Sequence, residues 1–581
     1  MSMKRLLFIL TVAVAVVLGF GSCETCPSDY PAKKVLYGNI VDVQARKVFP
    51  GELTIDEGRV VSVKGTSGVY DTYILPGFVD SHIHIESTLM VPENYARMAV
   101  ANGVVAAVCD PHEIANVLGV PGIDFMIENG NNARFYFNFM APSCVPSTTF
   151  ETSGATLDAE QVAGLLARDE IMGLAEMMNV PGVVYDDAQV LTKLQAAINV
   201  GKPIDGHAPK TSGEQLQKYV AAGVSTDHEC TSVDEAKEKL ALGMKIIIRE
   251  GSAACDFEAL HTLIKEHPGQ VLFCSDDMYP DDVETIGYIN GLVRRAVAKG
   301  MPLWETLDAA CVTPVKHYML KNGLLGEGDS ADFIVVNNLN EFKILSTYIQ
   351  GYEVYNATKG VTDALRRATT TVDLATLNYF QAEELDVADI AVKCEGEHLK
   401  VITASEGSLI TGKEVVKPKS DAAGNVVTDV DSGIAKLVVY NRYAAAAPQV
   451  AYIKGFGLRR GALASTIAHD SHNIIALGCD DKDIVTVINR LIAEKGGITV
   501  CDGEQIKCLP LPIAGLMTTL KAEEVAQNHL ALKQMAKDMG CTINAPFMTM
   551  AFMALPVIPD LKLTDMGLFD GIAFGFTSLW E

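Results

Sequence analysis

Pro76-Gly77-Phe78-Val79-Asp80-Ser81-His82-Ile83-His84-Ile85-Glu86-Ser87 carries two histidines one residue apart at the end of an apolar run. The run from Tyr73 to Asp80 reads as one strand. Residues i and i+2 of a strand face the same way, so both imidazoles project together from its C-terminal end. Neutral imidazole is a good ligand for transition metals. A lone pair of this kind is weak evidence, and its weight depends on the rest of the chain.

Beyond Ser87 the pattern alternates. Apolar strand-like runs recur at Val104 to Val108, Phe135 to Phe139, Met172 to Ala175, Ile246 to Ile248 and Val271 to Cys274. Helix-like stretches separate them, among them Ala159 to Ala167, Asp187 to Asn199 and Ser232 to Leu242. Repeated βα units point to a parallel sheet or barrel. The span to about Asn338 suits an eightfold βα barrel of roughly 250 residues, whose sites lie at the C-terminal ends of the strands. Short β-rich segments flank it: Val35 to Asp42 and Gly58 to Val63 before, Ala331 to Val336 and Tyr348 to Tyr355 after. The last third has its own strand, Lys436 to Asn441, and helix, Ala522 to Met539.

Further polar residues stand at the ends of apolar runs. Glu176 comes after Ile171 to Ala175, and Asp276 after Val271 to Cys274 in Cys274-Ser275-Asp276-Asp277. His207 lies in Ile204-Asp205-Gly206-His207-Ala208-Pro209, and His228 in Ser225-Thr226-Asp227-His228-Glu229. Any one of them reads equally well as a capping carboxylate or a satisfied core histidine. Six such residues in this order point to a metal site.

These segments resemble the amidohydrolase superfamily, and within it the adenine deaminase family. Pro76 to Ser87 is similar to that family's first barrel strand. Gly206-His207-Ala208-Pro209, Asp227-His228-Glu229 and Ser275-Asp276-Asp277 are similar to its fifth, sixth and eighth strand ends. Gly328 to Val335 resembles the strand that returns to a small β-domain, and the last third resembles the family's extra C-terminal domain. The resemblance implies an α/β fold: a (β/α)8 TIM-like barrel over 77–331, a small β-sandwich from 32–76 with 332–371, and a C-terminal α/β domain over 372–581. It implies a binuclear divalent centre, manganese before iron or zinc. His82, His84 and Asp276 would hold one ion, His207 and His228 the other, and Glu176 would bridge them where many relatives use a carboxylated lysine. A hydroxide between the ions would attack C6 of adenine, with Asp276 moving the protons. The implied reaction is hydrolysis of adenine to hypoxanthine and ammonia, in purine salvage, by a homo-oligomer. Two other readings remain open: another amidohydrolase acting on a cyclic amide, or a non-catalytic exported binding protein on the same fold.

Two polar clusters fall outside the six. Asp110-Pro111-His112-Glu113 comes directly after the run ending in Cys109. It reads either as substrate or auxiliary-metal contacts or as a Pro-initiated helix start; Asp277 and Glu113 are the next candidates for moving protons after Asp276. The second cluster, His469-Asp470-Ser471-His472-Asn473, sits in Gly461 to Ile474. It reads either as a polar turn between a helix and a strand or as a loop closing over the barrel mouth. Glycines 455, 457 and 461 are candidate hinges for that movement.

Composition bounds partners and place. The net charge of -25 repels phosphate backbones, so nucleic acid is excluded as a partner while a small neutral base is not. Lys4 and Arg5, the apolar run Leu6 to Leu18 and Gly21-Ser22-Cys23 have the layout of a secretory signal or lipoprotein leader over 1–23, which implies cleavage before Cys23, a lipid anchor and the cell envelope. The alternative is an uncleaved extension on a cytoplasmic enzyme. The 13 cysteines favour the latter, because Cys109, Cys230, Cys274 and Cys311 read as buried free thiols.

Overall fold

The computed structural model describes residues 31–367 and 377–581. The leader and Cys23 lie outside the described residues, and so does the 371/372 domain boundary.

Four strands open the chain: β1 (Lys34–Asp42), β2 (Lys47–Asp56), β3 (Arg59–Gly65) and β4 (Tyr73–Pro76). The barrel strands come next: β5 (Phe78–Ile83), β6 (Val104–Cys109), β7 (Tyr136–Ala141), β8 (Ile171–Met177), β9 (Ile204–Gly206), β10 (Thr226–Asp227), β11 (Lys245–Arg249) and β12 (Val271–Cys274). They form parallel sheets in chain order, β5 to β9 and β10 to β12. A parallel bridge between Ile83 and Asp276 closes the circle. Every residue of β5 and β6 is buried. Helices cover the outside of such a barrel and side chains fill the inside, so its strands read as continuous apolar runs without alternation.

The run Tyr73 to Asp80 is not one strand. It breaks at Gly77, with β4 in the flanking sheet and β5 in the barrel. A Cβ at Gly77 would lie 2.3 Å from a methyl of Val105, so the backbone crosses there in a gap that admits no side chain. The later strands of the flanking unit are β13 (Phe333–Val336), β14 (Ile344–Ile349), β15 (Tyr352–Asn356) and β16 (Gly360–Val361). With the first four they make one continuous eight-stranded sheet, in the order β16-β15-β14-β13-β4-β1-β2-β3. Ile40, Leu53, Ile74, Phe333 and Tyr348 form its own apolar cluster. Tyr348 to Tyr355, expected as one strand, is a hairpin. Gln350 and Gly351 both have positive φ, 51° and 73°, the geometry of a two-residue turn matched to strand twist.

The C-terminal unit is built on a second eight-stranded sheet. Its strands are β17 (Leu399–Ser405), β18 (Ser408–Val416), β21 (Ile434–Tyr440), β22 (Gln449–Lys454), β23 (Ala462–Ala468), β24 (Asn473–Gly478), β25 (Gly497–Asp502) and β26 (Gln505–Pro510), with a short side pair β19 (Lys419–Ser420) and β20 (Val426–Val427). The helix Asp481–Glu494 packs on this sheet. Asp480 caps it by accepting from the N–H groups of Lys482 and Asp483, and Ile484, Val487, Ile488 and Leu491 give it a buried stripe at helical spacing. A small antiparallel sheet ends the chain: β27 (Leu561–Thr564), β28 (Gly567–Asp570) and β29 (Gly575–Phe576).

The His469 cluster does not join a helix to a strand. It is the buried turn of the hairpin β23–β24. Gly461 has a φ of 73°, and a Cβ there would sit 2.3 Å from the sulfur of Met539 and 2.4 Å from the carbonyl of Cys501, so glycine is needed for close packing. Cys109, Cys230, Cys274 and Cys311 are buried free thiols. Among the described residues no helix is long and apolar enough to cross a membrane.

Candidate active site

His82 and His84 stand at the C-terminal end of β5, with ring Nε2 atoms 3.2 Å apart. His84 Nδ1 lies 3.1 Å from the carbonyl of Asp110. Donating there fixes Nδ1 as a protonated nitrogen and turns Nε2 toward the cluster. Burial lowers the pKa of His82 and the neighbouring His228 lowers it further, which keeps His82 neutral, the form that binds metal.

Glu176, near the end of β8, lies between two pairs of imidazoles. Its Oε1 is 3.2 Å from His84 Nε2 and 3.8 Å from His82 Nε2. Its Oε2 is 2.7 Å from His207 Nδ1 and 3.3 Å from His228 Nε2. Burial opposes its charge, but His207 and His228 outweigh that and hold the carboxyl well below the usual range. His207 comes just after β9 and His228 just after β10, so each of these strand ends delivers a candidate ligand toward the barrel axis.

Asp276 closes the ring. Its N–H donates to the carbonyl of His82 at 3.0 Å, and its own carbonyl accepts from His84 N–H at 3.3 Å. Its Oδ1 lies 3.5 Å from His82 Nε2 and 3.2 Å from His84 Nε2. Barrel closure and ligand convergence are thus the same set of contacts. The other oxygen, Oδ2, accepts from Arg249 at 2.9 Å. Arg249 ends β11 fully buried and also pairs with Glu229 and Asp256.

The donor set fits divalent metal. All six groups are imidazoles or carboxylates and all are buried. The 2.7–3.8 Å separations bracket the roughly 3–3.5 Å between neighbouring ligands when each bond is about 2.1 Å. His207 Nε2 and His228 Nδ1 have no hydrogen-bond partner among the described residues. His82, His84 and Asp276 form one candidate ligand group, and His82, Glu176 and His228 another.

The remaining sequence candidates surround this cluster. His112 starts the helix His112–Leu118 directly after Pro111, so the helix-start reading holds together with a place at the site. Its Nδ1 is 2.9 Å from Asp110 Oδ2 and 3.5 Å from Glu176 Oε1. Glu113 meets the C-terminal hairpin: its Oε1 is 3.0 Å from His469 Nδ1, and its Oε2 touches His472 Nε2. The nearby histidine charges offset burial and hold Glu113 well below the ordinary carboxylate range. Asp470 Oδ2 lies 4.0 Å from His112 Nε2. Asp277 accepts from the Ser87 hydroxyl; burial, and then the charge of Asp276, push its pKa to about 6. His469 and Asp470 line the cavity, and His472 stands behind Glu113.

The cavity is lined from both units. His84, Glu176, His207, His228, Asp276 and Asp277 face it from the barrel; His469, Asp470, Phe552 and Leu555 face it from the C-terminal unit. Sequence reading missed Arg249, Glu229, Phe552 and Leu555. Arg249 had a signal, a charge ending the apolar run Ile246 to Ile248. The two apolar residues had none.

Two family models match the chain. The amidohydrolase family covers residues 73–354, and the adenine deaminase C-terminal domain covers residues 408–575. Among curated proteins, an adenine deaminase of Methanosarcina mazei is 47% identical over 559 residues, 94% of this chain and 99% of that protein. One from Salinibacter ruber is 46% identical over 94% of this chain and 99% of its own length. One from Borreliella burgdorferi is 40% identical over 93% and 98%.

Proposed function

The chain belongs to the adenine deaminase family of the amidohydrolases, and from that membership we propose that its buried centre hydrolyses adenine to hypoxanthine and ammonia with two divalent ions, manganese before iron or zinc. The observation that carries the two-ion reading is Glu176, whose two oxygens each face a separate pair of imidazoles.

When bound, the ion pair supplies Lewis acidity and activates water. His82, His84 and Asp276 would hold one ion and His207 and His228 the other, with Glu176 available to both. Asp276 Oδ1 takes the proton of the attacking water and passes it toward the departing amine. Arg249 on Oδ2 keeps that carboxylate aimed. Glu113, Asp277, His469 and Asp470 face the space beyond the ligands and are the groups available to hydrogen-bond the purine ring. Phe552 and Leu555 exclude water, which strengthens each polar contact inside.

The test is ammonia release by purified, metal-analysed protein given adenine, adenosine, guanine or cytosine. Adenine alone should release ammonia quickly, with two ions per chain. Protein with two ions bound and no ammonia from adenine would refute this. The leader supports a second proposal, cleavage before Cys23 and acylation of Cys23. Mass spectrometry finding an N-terminus that retains Met1 in the soluble fraction would overturn it.

A further inference from the structure

Lys562 lies on β27 with no exposed surface. Its Nζ donates to two backbone carbonyls, Leu409 at 2.9 Å and Phe552 at 2.8 Å. Burying an ammonium against neutral acceptors is costly. An apolar side chain of similar volume would fill the same space at less cost, so the placement calls for a reason other than packing.

The two carbonyls supply it. Leu409 is on β18, and Phe552 begins the turn Phe552–Ala554. Phe552 faces the metal-ligand cavity. Together with Leu409 it also lines the adjoining space against Arg249, Asp276 and Asp277. The Phe552 ring stacks on His469, with centroids 4.4 Å apart and planes at 14°. One side chain therefore fixes both segments that form the apolar wall opposite the barrel strand ends.

That wall matters for the substrate, given the adenine deaminase reading on which this step rests. Hydrolysis places C6 of the purine at the Glu176–Asp276 end. The five-membered ring with N9 must then point away from the strand ends, toward His469, Phe552 and Leu555. We propose that Lys562 is a positioning residue that, by tying Leu409 to Phe552, fixes the wall that admits an unsubstituted purine base and shuts out N9-substituted ones.

Two variants test it, Lys562→Met and Phe552→Ala, each compared with wild type for metal content, thermal midpoint and kcat/KM on adenine and 9-methyladenine. The second variant shortens the wall while keeping the carbonyl that Lys562 binds. Both should retain two ions per chain and raise the 9-methyladenine to adenine ratio by roughly tenfold or more, the scale on which a pocket wall discriminates small apolar groups. If Lys562→Met fails to fold, Lys562→Gln, too short to span both carbonyls, takes its place, and Phe552→Ala tests the wall itself. An unchanged ratio in the folded variants, or no 9-methyladenine turnover in any of them, overturns the proposal. Wild-type protein inactive on adenine would instead strike the functional reading beneath it.

Discussion

Asp276 sits at φ 56°, a left-handed conformation that aspartate tolerates better than most residues. That twist lets its backbone bridge His82 and His84 while one carboxylate oxygen turns to the same imidazoles and the other to Arg249. Asp276→Asn preserves the shape and the backbone bridge but cannot take a proton. It should fold, keep some metal and lose about a hundredfold or more in kcat, the scale of general acid–base groups. A near-normal rate would move the role to Asp277 or Glu113. Lys562 makes a different residue-level prediction. Burial pushes its pKa down from 10.5 to about 7. Between those values the unfolded chain binds more protons than the folded one, so stability rises with pH across that window. The cost is full below about pH 7, at roughly 5 kcal/mol, and fades toward pH 10. Urea midpoints from pH 6.5 to 10 should therefore climb in wild type relative to Lys562→Met. Parallel curves for the two proteins would refute this. Both protonation states keep an N–H to donate, so the tether itself survives the titration.

At the scale of elements, the legible features came from one-dimensional signals. Glu176 and Asp276 follow apolar runs, the mark left by a parallel strand buried on both faces, whereas His207 and His228 follow the short strands Ile204–Gly206 and Thr226–Asp227, which carry aspartates, and stood out by residue type alone. The break at Gly77 and the turn at Gln350–Gly351 left only a dipeptide each, Pro76-Gly77 and Gln350-Gly351, between β-rich flanks that otherwise read as one strand. Phe552 and Leu555 were hidden for a related reason: an apolar residue carries no address, and only the packing of the C-terminal unit on the barrel makes these two a cavity wall. The His469 turn was legible as unusual chemistry, but its role depended on Glu113, 356 positions away in sequence. The His469→Ala, His472→Ala double variant removes the partners that keep Glu113 ionised, and leaves the barrel ligands in place. It should keep two ions and lose at least about tenfold in kcat/KM for adenine, toward the range of acid–base groups. Unchanged kinetics would mean that Glu113 is not used in the reaction.

Across the whole molecule, the barrel and the C-terminal unit share one continuous apolar core. A single cluster of buried residues runs from Val41 through the barrel strands to Leu437, Ile498, Val525 and Leu568. Polar contacts reinforce the junction just beyond the Asp276 loop. His529 Nδ1 lies 2.8 Å from Asp281, and Lys533 reaches Asp281 and Asp282 at 2.8 and 2.9 Å. Multi-domain chains commonly unfold in steps, but here separating the units would expose the wall of the active-site cavity and part of the common core. Ions that bind only the native state stabilise whatever unfolds with their site. Calorimetry should therefore show the barrel and C-terminal unit melting together, and removing metal with a chelator should lower that one transition and abolish ammonia release. Adding back manganese should restore both. Two resolved transitions, with only the first moved by the chelator, would show that the C-terminal unit holds its fold independently and merely rests against the barrel mouth.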